Sequence, residues 1–294
     1  MIRPMIRAMR PKQWLKNVLV FAAPGAAGVL DEWGDLSMTI IAFVSFCFAA
    51  SGIYVWNDLN DVEADRLHPT KRLRPFASGL VPIPVARTMG VVLPLAALGL
   101  AALTGRWQTV AVVAVYIALT LVYTFWLKEE PIIDLLTIAS GFVLRAAAGA
   151  VAVDVPMSRW FVLCVTFGSL FIVVGKRYAE LNEVGDGAGT RATLETYTAG
   201  FLRMLLSVSL AGALISYCVW AFETSEISSL ADRGLDLPFY ELSIVPMIAA
   251  LFRYLLVLER GEGSAPEEVF ASDRVLQLAG VAWIVIYGVA VYTA

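Results

Sequence analysis

The chain has 294 residues, of which 59% are hydrophobic and only 16% are charged, and its mean hydropathy is +0.74. Soluble domains carry about 25% charged residues, so this composition excludes an ordinary soluble protein. The apolar residues form continuous runs, not short alternating segments, which excludes a membrane β-barrel and predicts an all-α integral membrane protein. The net charge of −3 does not indicate a charged partner, and the three cysteines lack the spacing of a metal site or a disulfide framework.

Nine apolar runs of about 20 residues predict nine membrane-spanning helices. Their predicted limits are 12–30, 36–56, 85–104, 107–127, 131–153, 159–178, 200–222, 241–258 and 275–292.

The orientation of these spans follows from the basic residues. If the spans alternate, 18 of the 22 Lys and Arg residues lie on the side of the N-terminus and 3 lie on the other side, while Arg145 lies within the fifth span. The positive-inside rule then places the N-terminus in the cytoplasm. We therefore expect one membrane-embedded domain over residues 1–294, in the plasma membrane, with active-site loops near 57–84 and 175–199 facing the cytoplasm.

An acidic motif follows the second predicted span. Asn57, Asp58, Asp61 and Asp65 form the pattern N-D-x-x-D-x-x-x-D. If the helix continues through the motif, the three aspartates lie on one face, about one turn apart. Like charges so close together repel unless a cation lies between them, and carboxylates suit a Mg²⁺ ion whose shell is completed by substrate phosphates. Asp58, Asp61 and Asp65 are therefore the predicted metal ligands.

Basic residues follow this motif directly. Lys71, Arg72 and Arg74 are suited to hold phosphate oxygens. Because charged residues at the end of a membrane span usually have a function, we interpret the whole stretch as a diphosphate site. The alternative is a solvated loop of mixed charge between two spans.

A second charged segment follows the sixth predicted span. Lys176 and Arg177 come first, and Glu180 and Glu183 share one helical face if the helix extends through them. Arg191 follows a run of glycines that ends the helix. The position of this segment, four spans after the first, indicates a weak internal repeat that supplies a second half of the site. The alternative is a linker whose basic residues only set the topology.

The acidic motif, the opening segment RPKQWLKN at 10–17 and the segment YTFWLK at 123–128 together resemble the UbiA superfamily of intramembrane prenyltransferases. The resemblance covers nearly the whole chain. It implies nine helices around a central cavity, and cytoplasmic loops that carry two acidic Mg²⁺ motifs. The second motif departs from the usual D-x-x-x-D, because KRYAELNE at 176–183 has glutamates at another spacing behind two basic residues.

The opening segment and GKRYAEL at 175–181 are most similar to one branch of the superfamily, the decaprenyl-phosphate phosphoribosyltransferases. This resemblance implies transfer of 5-phosphoribose from phosphoribosyl diphosphate to a polyprenyl phosphate, with release of pyrophosphate, in the synthesis of cell-wall arabinan precursors. The expected partners are the lipid membrane, this donor and this acceptor, without nucleic acid. Two alternatives are a prenyltransferase that joins a polyprenyl diphosphate to an aromatic acceptor, and a polyprenyl-phosphate transporter or flippase.

The predicted site combines both charged segments with one residue inside a span. The predicted catalytic residues are Asn57, Asp58, Asp61 and Glu180. The predicted substrate-binding residues are Lys16, Asn17, Lys71, Arg72, Arg74, Tyr123, Arg145, Lys176, Arg177, Tyr178, Glu183 and Arg191. Arg145 belongs to this set because a charge within a span is costly unless it faces a cavity or a polar contact, such as Asp134.

Overall fold

The computed structural model describes residues 2–183, 194, 196–230, 238–261, 263 and 265–293. Over these residues the regular secondary structure consists of helices only, which confirms the predicted all-α class. The chain divides into two compact units, Met1–Pro156 and Met157–Ala294.

The first unit has seven α-helices within its described part. They are α1 (Ile2–Ala8), α2 (Ala22–Ala26), α3 (Trp33–Asn60), α4 (Val62–Leu67), α5 (Ile83–Ala102), α6 (Trp107–Phe125) and α7 (Ile133–Val153). Its 3-10 helices are Pro11–Phe21, Lys71–Leu73 and Leu127–Glu129. The α-helices described in the second unit are α8 (Arg159–Glu183), α9 (Ala199–Leu230), α10 (Phe239–Leu242), α11 (Ile244–Glu259), α12 (Pro266–Ser272) and α13 (Arg274–Thr293).

Eight helical stretches in the described ranges are long and apolar enough to cross a membrane. They are α3, α5, α6, α7, α8, α9, the α10–α11 pair and α13. These eight match the second to ninth predicted spans, so a multi-pass membrane protein is confirmed. The first predicted span, 12–30, differs from the prediction, because it consists of the 3-10 helix Pro11–Phe21 followed by the five-residue helix α2.

Proline explains why the first apolar run is not a regular α-helix. Pro24 has no N–H group, so it cannot donate the α-helical hydrogen bond to the carbonyl oxygen of Val20. That carbonyl group packs instead against α7 at Gly149, where a Cβ atom would lie 1.7 Å from the Val20 oxygen. The 3-10 helix Pro11–Phe21, called the N-terminal 3-10 segment below, is thus in backbone contact with α7.

Helices α3 and α5 also pack closely through small residues and proline. A Cβ atom on Gly52 would lie 2.5 Å from the ring of Pro94. Pro94 leaves the carbonyl group of Gly90 without an α-helical donor, and the indole N–H of Trp56 donates to this oxygen at 2.9 Å. The side chain of Ser45 donates to the carbonyl oxygen of Ala97 at 2.7 Å. These contacts fix α3, which carries the acidic motif, against α5.

The second unit is built on the pair of helices α8 and α9. Gly212 of α9 faces Phe167 of α8, and a Cβ atom there would lie 2.5 Å from the aromatic ring. An aromatic cluster joins α9, α10 and α13, in which the rings of Trp283 and Tyr287 stack at 5.0 Å and the indole of Trp283 donates to the hydroxyl oxygen of Tyr217 at 2.6 Å. Aromatic packing thus links the helices of this unit to one another.

Asp273 links α11 to α13 by charged hydrogen bonds. Its carboxylate accepts hydrogen bonds from Arg253 at 2.8 Å and 3.0 Å and from the backbone N–H of Leu276 at 2.9 Å. These bonds, chiefly those from Arg253, hold the pKa of Asp273 below the ordinary value for an aspartate. The carboxylate therefore stabilises the fold above about pH 4, and this contribution is lost as the pH falls through the lower folded-state pKa.

We accordingly expect Asp273→Asn to lower the thermal unfolding temperature in detergent at pH 7, because the charged partner of Arg253 is lost. The difference from the wild type should shrink as the pH falls below about 4 and through the lower folded-state pKa, because the wild-type carboxylate then also becomes neutral. Thermal unfolding followed by circular dichroism at pH 7, and at a pH below the folded-state pKa of Asp273, measures this difference in unfolding temperature. An equal difference at both pH values would contradict the assigned role.

Candidate functional site

The acidic motif lies where α3 passes into α4. Helix α3 ends at Asn60, and Asp61, with φ −98° and ψ 7°, separates the two helices. The helical direction persists, because the N–H of Asp61 donates to the carbonyl of Asn57 at 3.0 Å and the N–H of Asp65 donates to that of Asp61 at 2.8 Å. Asp58 is 3% exposed and Asp65 is 4% exposed. The structure thus buries two of the three predicted metal ligands.

Basic side chains pair with all three aspartates. Nη1 of Arg74 lies 3.2 Å from Oδ1 of Asp58 and 2.6 Å from Oδ2 of Asp65, so these two carboxylates share one face. Arg10 also donates to Oδ1 of Asp58. Asp61 accepts a hydrogen bond at 2.9 Å from Nζ of Lys128, which lies in the 3-10 helix Leu127–Glu129 after α6. We call this group the acid–base cluster; its members are Asp58, Asp61, Asp65, Arg10, Arg74 and Lys128.

Arg10 reaches Asp58 because of the backbone at the start of the N-terminal 3-10 segment. It adopts the left-handed conformation, with φ 53° and ψ 60°, directly before Pro11. Proline disfavours the right-handed helical conformation for the residue before it, so helix α1 cannot continue. Ser51 of α3 holds this turn, because its hydroxyl donates to the carbonyl oxygen of Met9 at 3.0 Å and accepts from the indole of Trp14 at 3.1 Å.

Arg10 and Lys128 are absent from the predicted site residues, although they contact two of its aspartates. Arg10 is 48 positions from Asp58 in sequence, and Lys128 is 67 positions from Asp61. Charge alone does not distinguish such residues from those that set the topology. The one available signal is that both lie in the two segments, 10–17 and 123–128, that carry the family resemblance.

The chemistry of the cluster fits a divalent cation that arrives with a diphosphate. One nitrogen of Arg74 already lies between oxygens of Asp58 and Asp65, so this position accommodates positive charge. The hydrogen bonds from the arginines go to Oδ1 of Asp58 and to Oδ2 of Asp65. Mg²⁺ is commonly held by one or two carboxylates plus substrate phosphates. In the described ranges no group of three or more His, Cys, Asp or Glu side chains is placed to hold a metal by itself.

Arg145 lies in a buried network in the membrane-spanning part of α7. Its guanidinium group donates to Oδ1 of Asn17 at 2.8 Å, to the carbonyl oxygen of Gly141 at 2.7 Å and to the hydroxyl of Tyr116 at 2.9 Å. The predicted contact with Asp134 is wrong. Eleven residues separate the two along α7, which is about 16 Å and beyond the reach of an arginine side chain. Arg145 therefore ties α6 and α7 to the N-terminal 3-10 segment.

The other predicted residues of the first unit differ in their exposure. Lys71 and Arg72 are exposed in the 3-10 helix Lys71–Leu73. Lys16 donates to the side chain of Gln13 at 2.5 Å. Asn57 and Tyr123 are half-buried near the ends of α3 and α6, respectively.

The second predicted segment forms its own cluster at the end of α8. The helix extends to Glu183, as predicted. Arg177, 2% exposed, donates to Oε2 of Glu180 at 2.7 Å, and Nζ of Lys176 lies 3.8 Å from the other oxygen of the same carboxylate. The hydroxyl of Tyr178 accepts a hydrogen bond from Arg203 at 2.8 Å. The Glu183 side chain and Arg191 lie outside the described residues, so their predicted roles stay predictions.

Eight candidate membrane spans and a buried cluster of paired charges at the end of one span define a multi-pass helical membrane protein with a site for a charged ligand. The model of the UbiA prenyltransferase family matches residues 18–291, and the chain belongs to that family.

The chain is also similar to individual proteins in sequence and in fold. The chain is 47% identical to a decaprenyl-phosphate phosphoribosyltransferase of Corynebacterium glutamicum, over 98% of this chain and 86% of the relative. It is 42% identical to a protein of the same name from Mycolicibacterium smegmatis, over 99% of this chain and 93% of the relative. The fold is similar to that of a UbiA homolog from Archaeoglobus fulgidus bound to DMAPP and Mg²⁺, with a TM-score of 0.71, 16% identity and 99% of both chains covered.

Proposed function

We propose that this chain transfers 5-phosphoribose from phosphoribosyl diphosphate to decaprenyl phosphate and releases pyrophosphate. The observation that carries the proposal is the identity of 42–47%, over nearly the whole chain, to relatives named for that reaction. The acid–base cluster supports it, because paired carboxylates and arginines suit a diphosphate donor bound with a divalent cation.

In the first unit, acidic side chains would bind the metal ion and basic side chains would bind the phosphates of the donor. Asp58 and Asp65 would hold Mg²⁺ through their carboxylate oxygens, and Asp61, which is more exposed and pairs with Lys128, would add negative charge beside them. The guanidinium of Arg74 would donate to phosphate oxygens of the donor, together with the exposed Lys71. Mg²⁺, when bound, would neutralise the negative charge that develops on the leaving pyrophosphate.

The chemical step needs no strong general base. An oxygen of the lipid phosphate, already ionised near neutral pH, would form the new bond to C1 of the ribose while the bond from C1 to the pyrophosphate oxygen breaks. Attack on the face opposite the leaving group would invert the configuration at C1. Catalysis would then depend on positioning and on fixed charges.

The membrane topology completes the proposal. The N-terminal 3-10 segment has 11 residues and α2 has five. At about 2.0 Å and 1.5 Å per residue they extend about 30 Å together, which is the thickness of the hydrocarbon core. We therefore propose that the N-terminal 3-10 segment and α2 together form a ninth crossing of the plasma membrane. The positive-inside count then places the N-terminus and the acid–base cluster on the cytoplasmic side.

Transfer of radiolabel tests the proposed reaction directly. Purified protein would be incubated with ribose-labelled phosphoribosyl diphosphate, decaprenyl phosphate and Mg²⁺, and the label in the lipid phase would be counted. We expect label in the lipid, stoichiometric release of pyrophosphate, and loss of both in EDTA. Transfer of a polyprenyl group to 4-hydroxybenzoate, without label in the lipid from the ribosyl donor, would contradict the proposal and indicate an aromatic prenyltransferase.

A further inference from the structure

The acid–base cluster is electrically balanced, with three carboxylates and three basic side chains. Asp58 is its most buried member, and a single oxygen of Asp58, Oδ1, accepts hydrogen bonds from both Arg10 and Arg74. The two arginine side chains are each 30% exposed, whereas the carboxylate beneath them is 3% exposed. The arginines are therefore more accessible to solvent than the carboxylate that they contact.

We infer that Arg10 and Arg74 prevent a divalent cation alone from binding to Asp58 and Asp65, and that the cation binds there as its complex with a diphosphate. The inference rests on the proposed function, to which it adds an order of binding and a role for Arg10. Arg10 is then a positioning residue for the metal and a ligand of the donor phosphate.

Electrostatics explains the exclusion of the bare cation. A cation that approaches Asp58 meets two guanidinium charges hydrogen-bonded to the same oxygen, and their repulsion offsets most of the attraction of the carboxylates. A cluster with no net charge cannot compensate a further double charge in a partly buried place. The cation alone should therefore bind weakly.

A diphosphate changes this balance because it brings negative charge with the cation. Its oxygens accept paired hydrogen bonds from guanidinium groups, so Arg10 and Arg74 can exchange a carboxylate partner for a phosphate partner. The direction of Arg10 is already set by its left-handed backbone conformation and by the ring of Tyr54, whose centroid lies 5.1 Å from the guanidinium carbon. The carboxylates released in this exchange would coordinate the cation.

Equilibrium dialysis of the purified full-length protein against Mn²⁺, a stand-in for Mg²⁺, tests the inference without any assay of turnover. The wild type should bind Mn²⁺ at least about tenfold more tightly when pyrophosphate is present. Arg10→Met should bind Mn²⁺ alone at least about tenfold more tightly than the wild type, and should gain less from pyrophosphate. Arg74→Met tests the same expectation from the other guanidinium, should either variant fold poorly.

Two control variants test whether the loss of positive charge in the acid–base cluster, and not the substitution itself, changes Mn²⁺ binding. Arg10→Lys keeps the charge, and Arg66→Met removes an exposed arginine that pairs with Glu63 outside the cluster. Both should bind Mn²⁺ alone as weakly as the wild type does. Equal affinities of the wild type, Arg10→Met and Arg74→Met for Mn²⁺ alone would overturn the inference.

Failure of the proposed function gives a different result from failure of this inference. If Asp58→Asn binds Mn²⁺ with pyrophosphate as tightly as the wild type does, the metal position in the proposed function is wrong, and the inference fails with it. If Asp58→Asn loses that binding and the wild type performs Mg²⁺-dependent transfer, while Arg10→Met binds Mn²⁺ alone like the wild type, only the inference fails.

Discussion

Replacing Asp58 by asparagine should lower kcat for phosphoribosyl transfer at least about a thousandfold in a protein that still folds. Asparagine retains an oxygen that can accept hydrogen bonds from Arg10 and Arg74, so the contacts around position 58 survive. It lacks the negative charge that holds a divalent cation, and the stabilisation that a cation gives a leaving pyrophosphate is several kcal/mol, or about three powers of ten in rate. The lipid-label assay measures kcat, and thermal unfolding measures stability.

A matched control for this substitution is Asp31→Asn. Asp31 is an exposed aspartate in the turn before α3, and its side chain forms no hydrogen bond or ion pair with the residues described. This variant should keep wild-type activity, which shows that loss of an acidic charge elsewhere in the first unit does not matter. Asp58→Asn with activity within about tenfold of the wild type would remove Asp58 from the metal site.

Replacing Gly149 by alanine should destabilise the first unit by about 3 kcal/mol or more and abolish transfer. The added Cβ would lie 1.7 Å from the carbonyl oxygen of Val20 and 2.8 Å from its carbon, and both are backbone atoms that cannot rotate away. The N-terminal 3-10 segment would have to move off α7. The hydrogen bond from Arg145 to Asn17 of this segment would be strained or lost, and so would the bond to Asp58 from Arg10, which directly precedes the segment.

Gly99→Ala is the control for the same change in a membrane helix. Gly99 is exposed on α5, and nothing lies within 4 Å of the position of its Cβ. Alanine there should leave stability unchanged or raise it slightly, because it favours the helix by about 1 kcal/mol over glycine. Thermal unfolding in detergent compares the two variants, and equal unfolding temperatures would show that the contact between Gly149 and Val20 is not needed.

The placement of most helices could be predicted from the sequence because it depends on local composition, and the family could be predicted from short motifs. A run of about 20 apolar residues must satisfy its own backbone hydrogen bonds in lipid, so eight helical spans follow from hydropathy alone. The acidic motif could be found because Asp58, near the end of α3, and Asp65, in α4, are about two turns apart along a helical direction that persists between the two helices, so their common face follows from the helical repeat.

Contacts between distant segments needed the tertiary structure. Local periodicity carries no information on which of 22 basic residues pair with the aspartates, so Arg10 and Lys128 were missed and Asp134 was wrongly named as a contact of Arg145. The first apolar run likewise has the composition of a membrane helix. The structure shows a 3-10 segment there, and the absence of a side chain on Gly149 lets the carbonyl group of Val20 contact the backbone of α7. The sequence by itself thus determined the fold class, the family and the acidic motif, and the tertiary structure decided which charges surround that motif, since pairing of charges depends on distances in space.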